Sequence, residues 1–410
     1  MLSWPKPYLP PALPGIAHPD LQLFDSYKNS FYSLSEEAIS SYICGITPYD
    51  ATHLGHAATY ITYDLAHRYL IASGKKVVMV QNITDIDDPL LERANRDSIE
   101  WQGLATNQID LFRSDMTALR VIPPDAYQGV VEAMPAIIDD IMKLVARGLT
   151  YELAGDVYLE IERVEGALSE LPFGIDEAIA IFAERGGDPT REGKRHPLDT
   201  LLWLSARKGE PSWDSPLGRG RPGWHIECLS IATHSAPPNE SSCITIQGGG
   251  SDLYFPHHYM TNVQSKALTG KAFAAVFTHA GMIGLAGEKM SKSKGNLLFV
   301  SKLISQGVKP EVIRLSLISR HYRSDTMWEM SRFEDAQELL VRLEKALARD
   351  DVAPTQPVIS EMVSALAEDL DTPRAISILE SWCRDTDSGS IGGNSGELAR
   401  ALDLYLGLAL

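Results

Sequence analysis

Tyr42-Ile-Cys-Gly-Ile-Thr-Pro-Tyr-Asp-Ala-Thr-His-Leu-Gly-His-Ala-Ala-Thr-Tyr60 is the stretch on which the fold turns. Its first residues, Tyr42 to Ile46, predict a short apolar strand. Thr47-Pro48-Tyr49-Asp50 predicts a turn, and a helix follows. Ala57, Ile61, Leu65 and Tyr69 recur at four-residue spacing along that helix and form a stripe fit for burial. His53 and His56 stand three apart at its start, on one face, with Gly55 between them. A helix start attracts anions through its free N–H groups and its dipole. Two imidazoles add donors for phosphate oxygens, and a glycine lets a nucleotide approach the backbone. Cys44, in the strand just before, can turn its thiol into the same crevice. Strand, turn and anion-facing helix are half of a nucleotide site.

The chain on either side supplies the other half. Lys75-Lys-Val-Val-Met-Val-Gln-Asn-Ile-Thr-Asp85 predicts a continuously apolar strand, the kind that a parallel sheet covers on both faces. Its polar end, Asn82, Thr84 and Asp85, falls where doubly wound folds bind ligands, although a turn with solvated carboxylates reads equally well. Helical patterns run from Pro89 to about Arg120 and, after Pro123-Pro124, to about Arg147. Gly155 to Ile161 alternates as a half-buried strand, and a polar insert follows with Glu184-Arg-Gly-Gly-Asp-Pro189 and Arg191-Glu-Gly-Lys-Arg195. Ser242-Cys-Ile-Thr-Ile-Gln247 predicts a strand running into Gly248-Gly-Gly-Ser-Asp252, either a simple turn or a place where backbone presses on a ribose beside Asp252. A strand over Ala274 to His279 leads to a Gly- and Ser-rich loop bearing Lys289, Lys292 and Lys294. That loop is either a solvated basic turn or a cover for polyphosphate.

The expected architecture is α/β. A doubly wound parallel sheet forms from 36–120 and 224–308, interrupted by a connective insertion at 121–223. A proline-rich arm at 1–35 precedes it, and a helical bundle follows at 309–410. At 410 residues with 44% hydrophobic content, the chain can bury a substantial core. A net charge of −17 disfavours a broad nucleic-acid footprint. Four cysteines are too few for a disulfide scaffold, the start lacks an apolar signal core, and no run reaches membrane-span length. The cytoplasm is the expected compartment.

Cys44, Cys228 and His257 are too widely separated for a zinc finger or ribbon, and a lone buried cysteine is ordinarily a small core hydrophobe. Each lies at the end of a segment that must converge on the same crevice. Two thiolates and one imidazole on zinc leave a fourth position open.

His53-Leu-Gly-His56 and Lys289-Met-Ser-Lys-Ser293, in that order and setting, resemble the two signature motifs of class I aminoacyl-tRNA synthetases. Asn82-Ile-Thr-Asp-Ile-Asp-Asp88, Gly220-Arg-Pro-Gly-Trp-His-Ile-Glu-Cys228 and Gly248-Gly-Gly-Ser-Asp-Leu-Tyr-Phe-Pro-His-His258 are similar to the cysteinyl branch. The branch continues its double histidine with Glu-Asn-Glu, the last glutamate being a further zinc ligand; here Tyr259, Met260 and Thr261 stand instead. The chain also leaves no room for the branch's anticodon-reading domain. Cys44 to Thr59 and Glu184 to Pro189 resemble instead the cysteine ligases of mycothiol biosynthesis. These synthetase relatives join cysteine to the amine of glucosaminyl-inositol in actinobacteria.

The resemblance implies one Zn²⁺ held by Cys44, Cys228 and His257. It implies cysteinyl-adenylate contacts from Cys44, Gly45, Ile46, Thr47, Thr59, Asn82, Ile83, Thr84, Trp224, Gly250, Ser251, Asp252 and Ile283. Phosphate handling falls to His53, His56, Lys289 and Lys292, with Mg²⁺ expected on ATP. The expected partners are L-cysteine, ATP and glucosaminyl-inositol, with no nucleic acid or membrane, and the expected state is a monomer. The rival readings are a truncated cysteinyl-tRNA synthetase and an inactive synthetase-like zinc-binding protein.

Overall fold

The computed structural model describes residues 1–285, 288–289 and 298–410. Five buried segments form a parallel sheet: β1 (Ala38–Ile43), β2 (Lys76–Ile83), β3 (Ala126–Gly129), β4 (Ser242–Gly250) and β5 (Ala272–Ala280). Their spatial order is β5-β4-β1-β2-β3. From β1 the chain builds outward in one direction and later resumes on β1's other side with β4. The strand order therefore reverses between β1 and β4, where doubly wound sheets open a ligand crevice beyond the strands' carboxyl ends.

Alternation along β1 sorts its side chains between two cores. Ile39 and Ile43 join one cluster, and Tyr42 joins the other. The first cluster includes α1 (Leu54–Ala72), the proline-rich arm through Trp4, Leu13 and Leu21, and the C-terminal helices. The second holds the helix Val130–Ala146, α2 (Trp224–Ser235) and α3 (Tyr259–Thr269). Helices on both faces account for the unbroken apolar runs of β2 and β5.

Ala57, Ile61, Leu65 and Tyr69 are buried as their spacing predicts, but α1 is enclosed nearly all round. Its buried Asp64 binds Arg68 on the same helix at 2.7 Å and Arg314 on the bundle helix Pro310–Ile318. Burial alone raises the Asp64 carboxyl, but the two guanidinium groups outweigh it and hold it below its usual range.

Several boundaries differ from the sequence reading. The first strand ends at Ile43, so Cys44 to Ile46 belong to the turn. β3 lies inside the stretch 121–223, so that stretch supplies a strand of the main sheet as well as an antiparallel four-stranded sheet spanning Thr150–Leu153 to Gly220–Pro222. The arm carries a hairpin, Gln22–Asp25 with Ser30–Ser33. Gly248 and Gly249 continue β4 instead of turning. A Cβ on Gly248 would come within 2.4 Å of the Tyr63 ring, so close packing demands glycine there. After Thr326–Trp328 the chain is helical to Ala401, with breaks at 348–354, 368–371 and 388–394. Among the described residues, no helix is long and apolar enough to cross a membrane.

Candidate active site

A cavity of about 380 Å³ opens at the carboxyl ends of β1 and β4. It is lined by Cys44, Gly45, Ile46, Thr47, His53, His56, Thr59, Trp224, Gly250, Asp252 and Ile283 from the expected set. At one end stands the start of α1. His53 is its N-cap, and Nδ1 accepts from the backbone N–H of Gly55 at 3.1 Å and of His56 at 3.4 Å. A ring nitrogen that accepts carries no proton, so the neutral tautomer presents Nε2–H as a donor. The rings of His53 and His56 stack at 3.8 Å. Burial lowers His56 to about 4, which keeps it a neutral imidazole near pH 7. Its Nδ1 is enclosed and has no hydrogen-bond partner among the described residues.

The segment that returns from the lysine loop is tied to this helix start. Leu54 N–H donates to Leu298 O at 2.9 Å, and Val300 N–H to Thr52 O at 3.0 Å. Glu288–Lys289 pairs through its backbone with Gly284–Leu285. Lys292 lies outside the described residues.

Cys44, which lines the cavity, Cys228 and His257 bring their ligand atoms within 4.8 Å of one another, and all three residues are buried. Their elements come from three parts of the sequence. Cys44 follows β1, Cys228 sits one turn inside α2, and His257 just precedes α3. His257 Nε2 lies 3.2 Å from Cys228 Sγ and its ring stacks on Trp224 at 4.0 Å. Burial raises the Cys228 thiol, but the Cys44 hydrogen bond and the His257 imidazole outweigh it and hold Cys228 well below the usual thiol range. Burial pushes Cys44 up, and Cys228 beside it pushes the same way. A thiolate, a second thiol and an imidazole, unbridged by any disulfide, fit a soft divalent cation such as zinc. Thr261, where the cysteinyl branch has glutamate, donates its hydroxyl to His257 O at 2.8 Å.

Four expected contacts lie elsewhere. Asn82 and Thr84 are buried behind the cavity wall, where Asn82 Oδ1 accepts from Gly45 N–H at 2.8 Å and Thr84 N–H donates to Ile46 O at 3.0 Å. They hold the loop that lines the cavity. A side chain on Gly45 would collide with the Asn82 carbonyl at 1.7 Å. Ile83 is core. Ser251 faces a neighbouring hollow with Tyr254 and His279.

The sequence reading missed the histidines around the thiols. His258 Nε2 is 3.2 Å from Cys44 Sγ, His258 Nδ1 is 2.8 Å from His279 Nε2, and His225 Nδ1 is 3.0 Å from His257 Nδ1. The adjacent pair His257-His258 was the available signal; His225 and His279 converge only in the fold. Tyr49, Asp50, Tyr60 and Met282 also line the cavity.

The catalytic-domain family of class I (C) tRNA synthetases matches residues 30–338. Two relatives, each called L-cysteine:1D-myo-inositol 2-amino-2-deoxy-α-D-glucopyranoside ligase, align over the whole of both chains. The one from Streptomyces coelicolor is 48% identical and the one from Gordonia bronchialis 46%. The solved structure of Mycobacterium tuberculosis methionyl-tRNA synthetase with methionyl-adenylate superposes with a TM-score of 0.64. It covers 90% of this chain and 89% of its own at 15% identity, a likeness of fold. With a class I (C) synthetase catalytic domain and full-length identity to these ligases, the chain belongs to the L-cysteine:1D-myo-inositol 2-amino-2-deoxy-α-D-glucopyranoside ligase family.

Proposed function

We infer that this chain is an ATP-dependent, AMP-forming ligase of mycothiol biosynthesis that joins L-cysteine to the amine of glucosaminyl-inositol. The observation that carries the reading is one cavity lined both by an anion-attracting helix start, His53 to His56, and by Cys44 of the Cys44–Cys228–His257 cluster. Phosphates belong at the helix start and a soft side-chain atom at the cluster. A carboxylate held between them is presented to the α-phosphate.

The cysteine carboxylate attacks that phosphorus, pyrophosphate departs, and a mixed anhydride forms. His53 Nε2–H and the positive end of the α1 dipole stabilise the charge that spreads onto the phosphate oxygens. His56 stays neutral and holds the His53 ring by stacking. Asp252 beside Gly250 accepts from a ribose hydroxyl. A Cβ on Gly250 would lie 2.6 Å from the Asp252 carboxylate. Lys289 and Lys292 complete the phosphate set, with Mg²⁺ on ATP. The amine of the acceptor then attacks the carbonyl carbon, and AMP leaves.

Cys44, Cys228 and His257 would hold one Zn²⁺, whose open position supplies affinity for a thiolate over a hydroxyl. Thr261 carries no charge, so the protein contributes three ligands there. The enzyme works as a cytoplasmic monomer.

The rival reading, a truncated cysteinyl-tRNA synthetase, shares the first half-reaction, so the acceptor decides between them. Enzyme, ATP and cysteine with glucosaminyl-inositol should yield amide, AMP and pyrophosphate, and the same mixture with tRNA should yield no aminoacylated product. Acylation of tRNA alone would overturn the assignment.

A further inference from the structure

The segment Gly250 to His258 carries both an expected nucleotide contact, Asp252, and a cluster ligand, His257, yet its backbone is irregular. A three-residue 3₁₀ turn, Ser251–Leu253, is followed by Phe255 in an extended conformation (φ −140°, ψ 137°) before α3 begins. Such a segment cannot satisfy its own carbonyls through a regular ladder, so other groups must do so. Tyr27 donates its hydroxyl to the Tyr254 carbonyl. The carbonyls of Asp252 and Phe255 both accept from one nitrogen, Nη1 of Arg185.

Arg185 belongs to the connective insertion, where it caps the helix Ile175–Glu184 at its carboxyl end. The motif that contains it builds the approach. Gly186 takes φ +90°, which a side chain would strain, and Gly187 lets the chain double back against Phe182, whose ring would lie 2.3 Å from a Cβ. Asp188 then binds Lys194 at 2.9 Å and the Tyr158 hydroxyl, fastening the turn to the insertion's own sheet. The Arg-Gly-Gly-Asp run thus delivers one guanidinium across to the catalytic segment.

We propose that Arg185 is a positioning residue for cysteine activation, a clamp by which the insertion fixes Asp252 and His257 relative to each other. The proposal rests on the reading that this cavity forms the adenylate. Arg185 is not among the residues that line the cavity. It acts through two carbonyls, one on Asp252 itself and one two residues before His257. A misplacement of about 1 Å at such a site costs on the order of 100-fold in rate.

The test is cysteine-dependent ATP–pyrophosphate exchange in Arg185→Ala, Arg185→Lys and a control, Arg195→Ala, whose guanidinium pairs with Glu160 within the insertion. Exchange by the wild-type enzyme checks the underlying reading, and its absence would sink that reading, not the clamp alone. Given wild-type exchange, Arg185→Ala should lose roughly 10- to 100-fold in kcat/KM, with a thermal midpoint matching that of Arg195→Ala. Arg185→Lys, with donors on a shorter stem, should be intermediate, and methylguanidinium should restore part of the Arg185→Ala rate. Wild-type kinetics in Arg185→Ala would overturn the clamp. So would a loss shared by Arg195→Ala, or one that Arg185→Lys and methylguanidinium leave unrelieved.

Discussion

His53 has two duties that different substitutions can separate. Its Nδ1 caps α1, while its Nε2–H faces the cavity. Asparagine caps helices well but offers no imidazole. His53→Asn should therefore leave the thermal midpoint close to wild type and slow pyrophosphate exchange by about 100-fold; unchanged exchange would remove His53 from the chemistry. His67 is a buried imidazole of another kind, with Nε2 2.8 Å from Ser41 Oγ, lowered by burial from 6.5 to about 4. Between those values the unfolded chain binds a proton that the native chain does not. The stabilisation is fully present above 6.5 and is lost as pH falls through about 4. His67→Gln should flatten the acid limb of urea-unfolding stability over that window by about 3 kcal/mol, and an unaltered limb would contradict the burial argument. His53, His56 and Cys44 were legible in the sequence because one short local stretch holds them. His225, His279 and Arg185 were not, since each acts on a partner 32, 21 or 67 residues away through contacts that only the fold creates.

α1 joins the nucleotide end of the site to the rest of the molecule. Its first turn faces the cavity, and three turns later Asp64 sits between two buried guanidinium groups while accepting from Ile122 N–H at 2.8 Å. Removing one charge from such a buried group leaves the others uncompensated. Asp64→Asn should cost about 3–5 kcal/mol in urea unfolding, whereas a cost below about 1 kcal/mol would mean that the cluster behaves like a surface pair. The apolar stripe of α1 announced a buried helix, but no local pattern marks Asp64, Arg68 and Arg314 as buried, because distant segments including the C-terminal helices enclose them. β4 shows the complementary limit. Its glycines looked like a turn, yet all three extend the strand, with Tyr63 pressed against Gly248 and His258 against Gly249. Cys228 likewise proved to be helical, with α2 carrying its thiol to His257.

Across the whole chain, the sheet order places β1 and β4 side by side although about 200 residues separate them, and that adjacency makes the site. The sequence pattern contained the alternation of apolar strands and helices, and hence the doubly wound class. It did not contain the membership of β3, four residues long and sitting after a proline pair. The net charge of −17 and the helical C-terminal region bear on the acceptor, and the activation half-reaction is indifferent to them. The central claim therefore lies in activation, at the cavity lined by the α1 start and by Cys44 of the thiol cluster. Its most direct measurement is ATP–pyrophosphate exchange with cysteine or serine, in the wild-type enzyme and in Cys228→Ala. The account predicts rapid exchange with cysteine, almost none with serine, and collapse of the cysteine-dependent rate in Cys228→Ala together with loss of bound zinc. Equal rates with cysteine and serine, or full exchange in Cys228→Ala, would contradict it.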